Sequence, residues 1–327
     1  MGQPVEVQLL SAAQKMIKKQ INNIFKKISS QLKKYQFKTF LLGIKDKIDE
    51  KEKKEIKIFL GKKIEKKLKK TADFKNPDIL IEISFEKNEI NFNIKPLYIF
   101  GYYQKILPGI PQTRWHKKRY QTSVQEEIGE IVLKESRGED HSFHGCGRED
   151  IDVITIGKGR PFVIEIKNPK KRQINLKKIE EKINHNSKYV KVANLNFCEK
   201  NKIRQIKLAS PKKTYETEIQ LEKPVLKSVL EEICKKFSNL TIIQKTPKRV
   251  LKRRANLKRK KKIYYIELIS YHPKNPILKI ESESGTYIKE LINGDEDRTK
   301  PSFSYFLNQK CFVKKLKVIK IDFNNKN

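Results

Sequence analysis

Cysteine is scarce and scattered in this chain. Its four residues, Cys146, Cys198, Cys234 and Cys311, are nowhere closer than 36 positions, so no Cys-x-x-Cys pair can nucleate a zinc site and no disulfide framework is suggested. Long apolar runs are missing too, none approaching the roughly 18 residues of a membrane-crossing helix. The segment Met1–Leu10 has neither the basic region nor the apolar stretch of a secretory leader. Together these absences predict a soluble, cytoplasmic protein with no membrane association and no metal. Acidic residues are few, 38 against 74 Lys and Arg, which leaves a formal charge of +36. Folding does not need such an excess, whereas a polyanionic partner does, and nucleic acid is the expected one. No arginine precedes Arg114, yet four of the 12 fall at Arg249, Arg253, Arg254 and Arg259. Drift in codon usage toward Lys, Ile and Asn would not cluster them so. Residues 248–262 hold ten Lys or Arg in fifteen positions and are expected to contact phosphates, with Arg249, Arg253 and Arg254 as the RNA-binding side chains.

What is present suffices for two folded domains. Hydrophobic residues make up 37% of 327, with 16 Phe and 12 Tyr, enough for packed cores of the usual size of about 150 residues each. From Ser11 to about Lys70 the spacing is helical and lysine-rich, with Ile56, Phe59, Leu60, Ile64 and Leu68 on one apolar stripe. After Asn76-Pro77-Asp78, the alternation of Ile79, Ile81, Ile83 and Phe85, repeated at Ile90, Phe92 and Ile94, predicts a β-hairpin. A small α/β domain over residues 1–105 follows. Pro108, Gly109 and Pro111 mark the opening of a second domain, residues 106–327. There a helix is expected over Ser123–Arg137. Strands are expected at Ile151–Ile156, Phe162–Ile166, Tyr189–Leu195, Thr217–Leu221, Tyr264–Ser270 and Ile277–Glu281. Helices at Ile174–Ile183 and Val225–Phe237 interrupt them, which makes an α+β domain with a large sheet.

The densest chemistry lies in the run His144 to Asp152, where four charged groups sit between a Gly-rich turn and a strand. Two chemistries fit. In one, a loop carboxylate works on a flipped nucleotide beside a cation such as Arg148. In the other, Asp152 opens a hairpin whose return strand carries Glu165 and Lys167, and two acids hold a divalent metal as in restriction-endonuclease-like nucleases. Alternation of Glu165 and Lys167 is equally what a solvated strand face shows. His141 and His144, without a third ligand, make a weak metal signal.

The run Gly147-Arg148-Glu149-Asp150 resembles the Gly-Arg-x-Asp signature of pseudouridine synthases. The surrounding segments are similar to the branch that modifies uridines 54 and 55 in the T-loop of archaeal and eukaryotic transfer RNA. They are Ile110-Pro111-Gln112-Thr113-Arg114-Trp115, Gly138-Glu139-Asp140-His141, Gly159-Arg160-Pro161-Phe162 with Asn168-Pro169, Lys213-Thr214-Tyr215, Thr246 to Leu251, Gly285 to Leu291, and Arg298 to Ser302. The resemblance implies a pseudouridine-synthase catalytic domain with a large mixed or antiparallel sheet, preceded by a THUMP-like RNA-binding domain. It implies transfer RNA, through its T-stem-loop, as partner, no cofactor, and Asp150 as the catalytic carboxylate. By the same resemblance Tyr215 stacks on the target base, Tyr287 lines the pocket, Lys289 pairs with Asp150, and Arg148 orients the loop. The family's Cys-x-x-Cys pairs are missing: Trp115 is followed by His116-Lys117-Lys118-Arg119-Tyr120. A zinc-free accessory region is expected, and no protein partner is legible.

Overall fold

A computed structural model describes residues 5–115 and 119–323, with side chains from residue 19 onward. The start of the Met1–Leu10 segment and the His116-Lys117-Lys118 stretch lie outside the described residues. By contacts the chain divides into two units. Residues 1–97, 132–142 and 165–175 form one; residues 98–131, 143–164 and 176–327 form the other.

The first unit is built from α1 (Val5–Leu32), β1 (Thr39–Ile44), α2 (Glu50–Leu68), β2 (Thr71–Ala72), β3 (Ile79–Ser84) and β4 (Glu89–Ile94). Its sheet has the order β2-β1-β3-β4; β1 runs parallel to both neighbours, and β3 and β4 form the expected hairpin, with Ile81 opposite Phe92. The Asp49 carboxylate caps α2 by accepting the Lys51 and Glu52 N–H groups at 2.9 and 3.3 Å. Ile56, Leu60 and Ile64, one helical turn apart, are buried together with Ile28 and Leu32 of α1 against Phe40, Ile79, Ile81 and Ile83. The stripe is narrower than its sequence spacing implied, since Phe59 is 46% exposed. The expected continuous helical stretch is also interrupted by β1. Phe40 and Leu42 alternate into the core there, and Asp78 pins the strand by accepting the Lys38 and Thr39 N–H groups at 2.7 and 3.1 Å.

The remaining elements are β5 (Leu97–Lys105), α3 (Val124–Ser136), β6 (Asp140–Gly145), β7 (Ile154–Lys167), α4 (Leu176–Asn186), β8 (Val190–Cys198), α5 (Asn201–Leu208), β9 (Lys213–Leu221), α6 (Lys227–Lys236), β10 (Thr241–Lys245), a 3-10 turn (Lys248–Arg253), β11 (Lys258–Ser270), β12 (Ile277–Ser282), α7 (Ile288–Asn293), β13 (Thr299–Lys300), α8 (Phe303–Leu307) and β14 (Cys311–Ile321). They make a mixed ten-stranded sheet of order β13-β10-β11-β12-β9-β14-β7-β5-β8, with β6 beside β7. The β14–β7 pair is parallel, while β9 is antiparallel to both β12 and β14. The α+β class and the large mixed sheet are therefore as the sequence implied. Leu230 and Ile233 of α6, Leu291 and Ile292 of α7 and Phe303 of α8 cover Ile219, Ile242, Ile263, Leu278 and Ile280 of the sheet. Phe237 stacks on Phe303 at 6.1 Å between ring centroids.

One expectation fails here. The segment read as a hairpin from Asp152 to Lys167 is a single strand, β7, without a reversal. Gly157 and Gly159 turn to φ 68° and 81° and bend the strand instead of closing a turn; a Cβ at Gly159 would stand 2.6 Å from the Tyr103 carbonyl oxygen. No helix among the described residues is long and apolar enough to cross a membrane.

Leu60 has no exposed surface in the core of the first unit. Leu60→Ala should lower the unfolding free energy of that unit by about 2–5 kcal/mol in urea titration, and a change under about 1 kcal/mol would mean that the α2 contact is not structural.

Candidate active site

The loop between β6 and β7 leaves the sheet at Gly145 and returns at Ile154. Its backbone is held from beneath by buried side chains. Arg160 Nη1 donates to the Cys146 carbonyl at 2.9 Å, and Gln112 Nε2 donates to the Gly147 carbonyl at 3.0 Å. The Lys105 ammonium, fully buried at the end of β5, donates to the carbonyls of Ile110, Asp150 and Ile151 at 3.2, 3.0 and 3.0 Å. Burial lowers its pKa, and the three carbonyls replace the water it has lost. Glu149 points down and completes the layer. It accepts the Tyr103 hydroxyl at 2.9 Å, and its carboxylate lies 2.8 Å from Arg160 Nε, with both side chains 1% exposed. The Arg160 Nε–H does not line up for a hydrogen bond, so this contact is an ion pair without a directed bond.

Asp150, next along the loop, points the other way. Its carboxylate lies 2.9 Å from Arg249 Nη1 and 3.8 Å from Lys289 Nζ. Lys289 also donates to Asp152 at 2.6 Å. Burial opposes the Arg249 charge, but Glu290, bound at 2.7 and 3.4 Å through two nitrogens, and Asp150 together outweigh it and raise the guanidinium pKa. Arg249 comes from the 3-10 turn, and Lys289 and Glu290 from α7. Three distant segments thus meet at one carboxylate.

Beyond Asp150 opens a cavity of about 310 Å³, lined by Arg148, Lys213, Tyr215, Tyr287, Leu316 and Val318 among others. The Tyr215 ring is buried, and burial pushes its phenol up to about 12. The Tyr287 hydroxyl accepts from Arg254 Nη1 at 3.0 Å. The 310 Å³ volume lies at the small end of ligand pockets, and Tyr215, Leu316 and Val318 give the cavity apolar lining. A larger cavity of about 560 Å³, with Tyr102, Lys158, Asn184, Lys191 and Asn194 in its wall, has no carboxylate.

The structure therefore brings Asp150, Arg148, Tyr215, Tyr287 and Lys289 to one cavity. Of the three arginines expected on phosphates, Arg249 is turned into the pocket. Arg254 holds Tyr287, and Arg253 lies over the Trp115 ring, 4.8 Å from its centroid. A third of the basic run, residues 258–262, is strand, since β11 begins at Lys258, and its first six residues are the 3-10 turn. The nuclease arrangement does not assemble, because Asp152 precedes β7 and Glu165 lies near its end, with no turn to return the chain. Lys167 pairs with Asp140. Among the described residues no three or more His, Cys, Asp or Glu side chains gather where they could hold a metal. Sequence reasoning missed Lys105, Gln112, Glu149, Arg160 and Glu290. Gln112, Glu149, Arg160 and Glu290 stood in quoted motifs, but nothing in spacing said that they point inward.

The chain is 40% identical to the tRNA pseudouridine synthase Pus10 of Methanocaldococcus jannaschii, over 94% of this chain and 74% of that one. It is 37% identical to the tRNA pseudouridine synthase Pus10 of Picrophilus torridus, over 93% and 83% respectively. A solved Cbf5–Nop10–Gar1 complex aligns with a TM-score of 0.41 at 17% identity, over 68% of this chain and 48% of that one. The chain belongs to the Pus10 family, whose C-terminal model matches residues 98–322.

Arg160→Met should cost about 3–5 kcal/mol in chemical denaturation, because it leaves a buried carboxylate without its cation. Arg160→Met combined with Glu149→Leu should cost less than the single change, and a larger loss in the double variant would show that the pair does not act as a unit.

Proposed function

We propose that the chain isomerises uridine to pseudouridine in transfer RNA, with Asp150 as the carboxylate that acts on the target nucleotide, at position 54, position 55 or both in the T-loop. The observation that carries this reading is a carboxylate paired with two cations at the mouth of a cavity whose wall is a tyrosine ring. Membership of a family whose curated relatives are named tRNA pseudouridine synthases supports the substrate.

The chemistry requires a uridine to leave its stack, at a cost of a few kcal/mol. The Tyr215 face offsets part of it by stacking on the extruded base. Tyr287, held by Arg254, closes the pocket wall. The N1–C1′ bond then breaks, the uracil turns, and a C5–C1′ bond forms while the C5 hydrogen is lost as a proton and N1 gains one. Asp150 stands where it can meet the ribose or the base. Arg249 and Lys289 fix its carboxylate, and Glu290 keeps Arg249 from swinging away. Arg148 borders the cavity and orients the loop toward the RNA. We place the THUMP-like RNA grip in the first unit and the protein in the cytoplasm.

Asp150→Asn should lower pseudouridine formation in a T-stem-loop transcript by roughly 10³-fold or more. Carbodiimide labelling and primer extension read the product and its position. Undiminished conversion in that variant removes Asp150 from the chemistry, and magnesium-dependent strand cleavage abolished in Glu165→Ala would restore the nuclease.

Arg253 and Arg254 are exposed and remain the phosphate-contact candidates. Replacing both with Ala should flatten the salt dependence of binding by about 0.7–0.9 log units per contact removed. Tyr215→Ala should slow turnover and leave that slope alone. An unchanged slope in the double arginine variant moves the phosphate track elsewhere.

A further inference from the structure

Lys213 is used by nothing described so far. It opens β9 two positions before Tyr215, so the two side chains leave the same strand face roughly 7 Å apart, and both line the cavity. Lys213 is buried, 6% exposed, yet among the described residues no carboxylate lies within ion-pairing distance of its ammonium. Glu149, the acid beneath the loop, is paired with Arg160 and bonded by Tyr103. The loop passes directly over the ammonium: a Cβ on Gly147 would stand 2.9 Å from Lys213 Nζ and 3.3 Å from Arg160 Nη1. A buried cation without an acid partner, at a cavity wall, is costly unless an arriving ligand uses it.

Resting on the isomerase reading, we propose that Lys213 receives the target uracil, donating a hydrogen bond from its ammonium to a ring carbonyl and holding the negative charge the base carries while detached from the ribose. Breaking the N1–C1′ bond leaves its electron pair on the uracil, shared between N1 and O2 and reaching O4 as well while the C5–C6 double bond is intact. An ammonium beside either oxygen stabilises that charge as it develops, in a site already arranged to receive it. A base lying on the Tyr215 ring has its edge within reach of a side chain two residues earlier on the same face. Formation of the C5–C1′ bond returns the electrons, the C5 proton departs, N1 is protonated, and Lys213 ends as it began.

The groups facing Lys213 are Arg160 from β7, Cys146 and Glu149 from the loop, and Lys261 from β11. Burial and then Arg160 draw its pKa down to about 8. The ammonium is therefore present at neutral pH and is lost as pH rises through about 8.

The test uses the full chain and a T-stem-loop transcript. Lys213→Met should lower kcat by about 10²–10³-fold, the usual consequence of removing one charge-stabilising donor, with KM within about threefold and transfer-RNA binding unchanged. Sulfur in place of O2 or O4 of the target uridine, a weaker acceptor, should slow the wild type at one of the two positions and slow Lys213→Met no further. The wild-type rate should fall above about pH 8, and Lys213→Arg should remove that fall. A Lys213→Met variant that binds RNA and turns over at the wild-type kcat overturns the proposal. If that variant does not fold, a wild type indifferent to sulfur at both oxygens overturns it alone. A wild-type chain that makes no pseudouridine refutes the isomerase reading itself.

Discussion

Arg160, Gln112 and Lys105 bind four carbonyls of the loop that carries Asp150, those of Cys146, Gly147, Asp150 and Ile151, and the rest of the site depends on that grip. A loop of this kind has no ladder of its own, so its backbone must find donors or face water. Here the donors are side chains whose own burial is severe. Hydrogen bonds from charged donors are about twice as strong as neutral ones, which offsets part of that burial. Taking away Arg160 or Gln112 would strand a carbonyl four or three residues before the carboxylate, and taking away Lys105 would strand the carbonyl of Asp150 itself. The grip therefore acts on geometry more than on net stability, since buried ion pairs often roughly break even.

Above the loop the logic is different. Asp150 and Glu290 share Arg249, and Asp150 and Asp152 share Lys289, so the carboxylates and cations form a short chain with no cation serving one acid alone. Glu290 is the buried end of this chain and Asp152 the exposed end. Fixing Arg249 through two nitrogens restricts a long side chain that would otherwise sample many rotamers. The Asp150 carboxylate then meets a cation already in position, which is the condition for electrostatic help without reorganisation during reaction.

Much of this was legible in the sequence, and the limits have physical reasons. The β3–β4 hairpin showed because period-two burial leaves a clean alternation, and α2 because Ile56, Leu60 and Ile64 recur at one helical turn. β1 was hidden: Phe40, Leu41 and Leu42 follow one another without a polar residue between them, so no alternation shows, and their pairing with β2 and β3 is parallel and non-local. The unbroken β7 was hidden because Gly157 and Gly159 signal a turn as readily as a bend. Motifs marked the cavity residues Asp150, Tyr215, Tyr287 and Lys289, but the residues that hold them were not marked. Whether Arg249 faces RNA or a carboxylate depends on where α7 places Glu290, and no local pattern carries that.

The excess of basic residues thus separates into two populations. Arg160, Arg249 and Lys289 are committed to carboxylates within the site, and their charge is largely compensated at short range. They add little to the long-range field. The exposed lysines and arginines that make up the remaining excess act at a distance: they attract a polyanion of any sequence, and salt weakens that attraction. Affinity and chemistry consequently draw on different side chains, although both classes are written with the same two amino acids. A count of charge in the sequence finds the exposed population, because it is the larger. Only the fold finds the committed one, because its members are defined by the acids they meet.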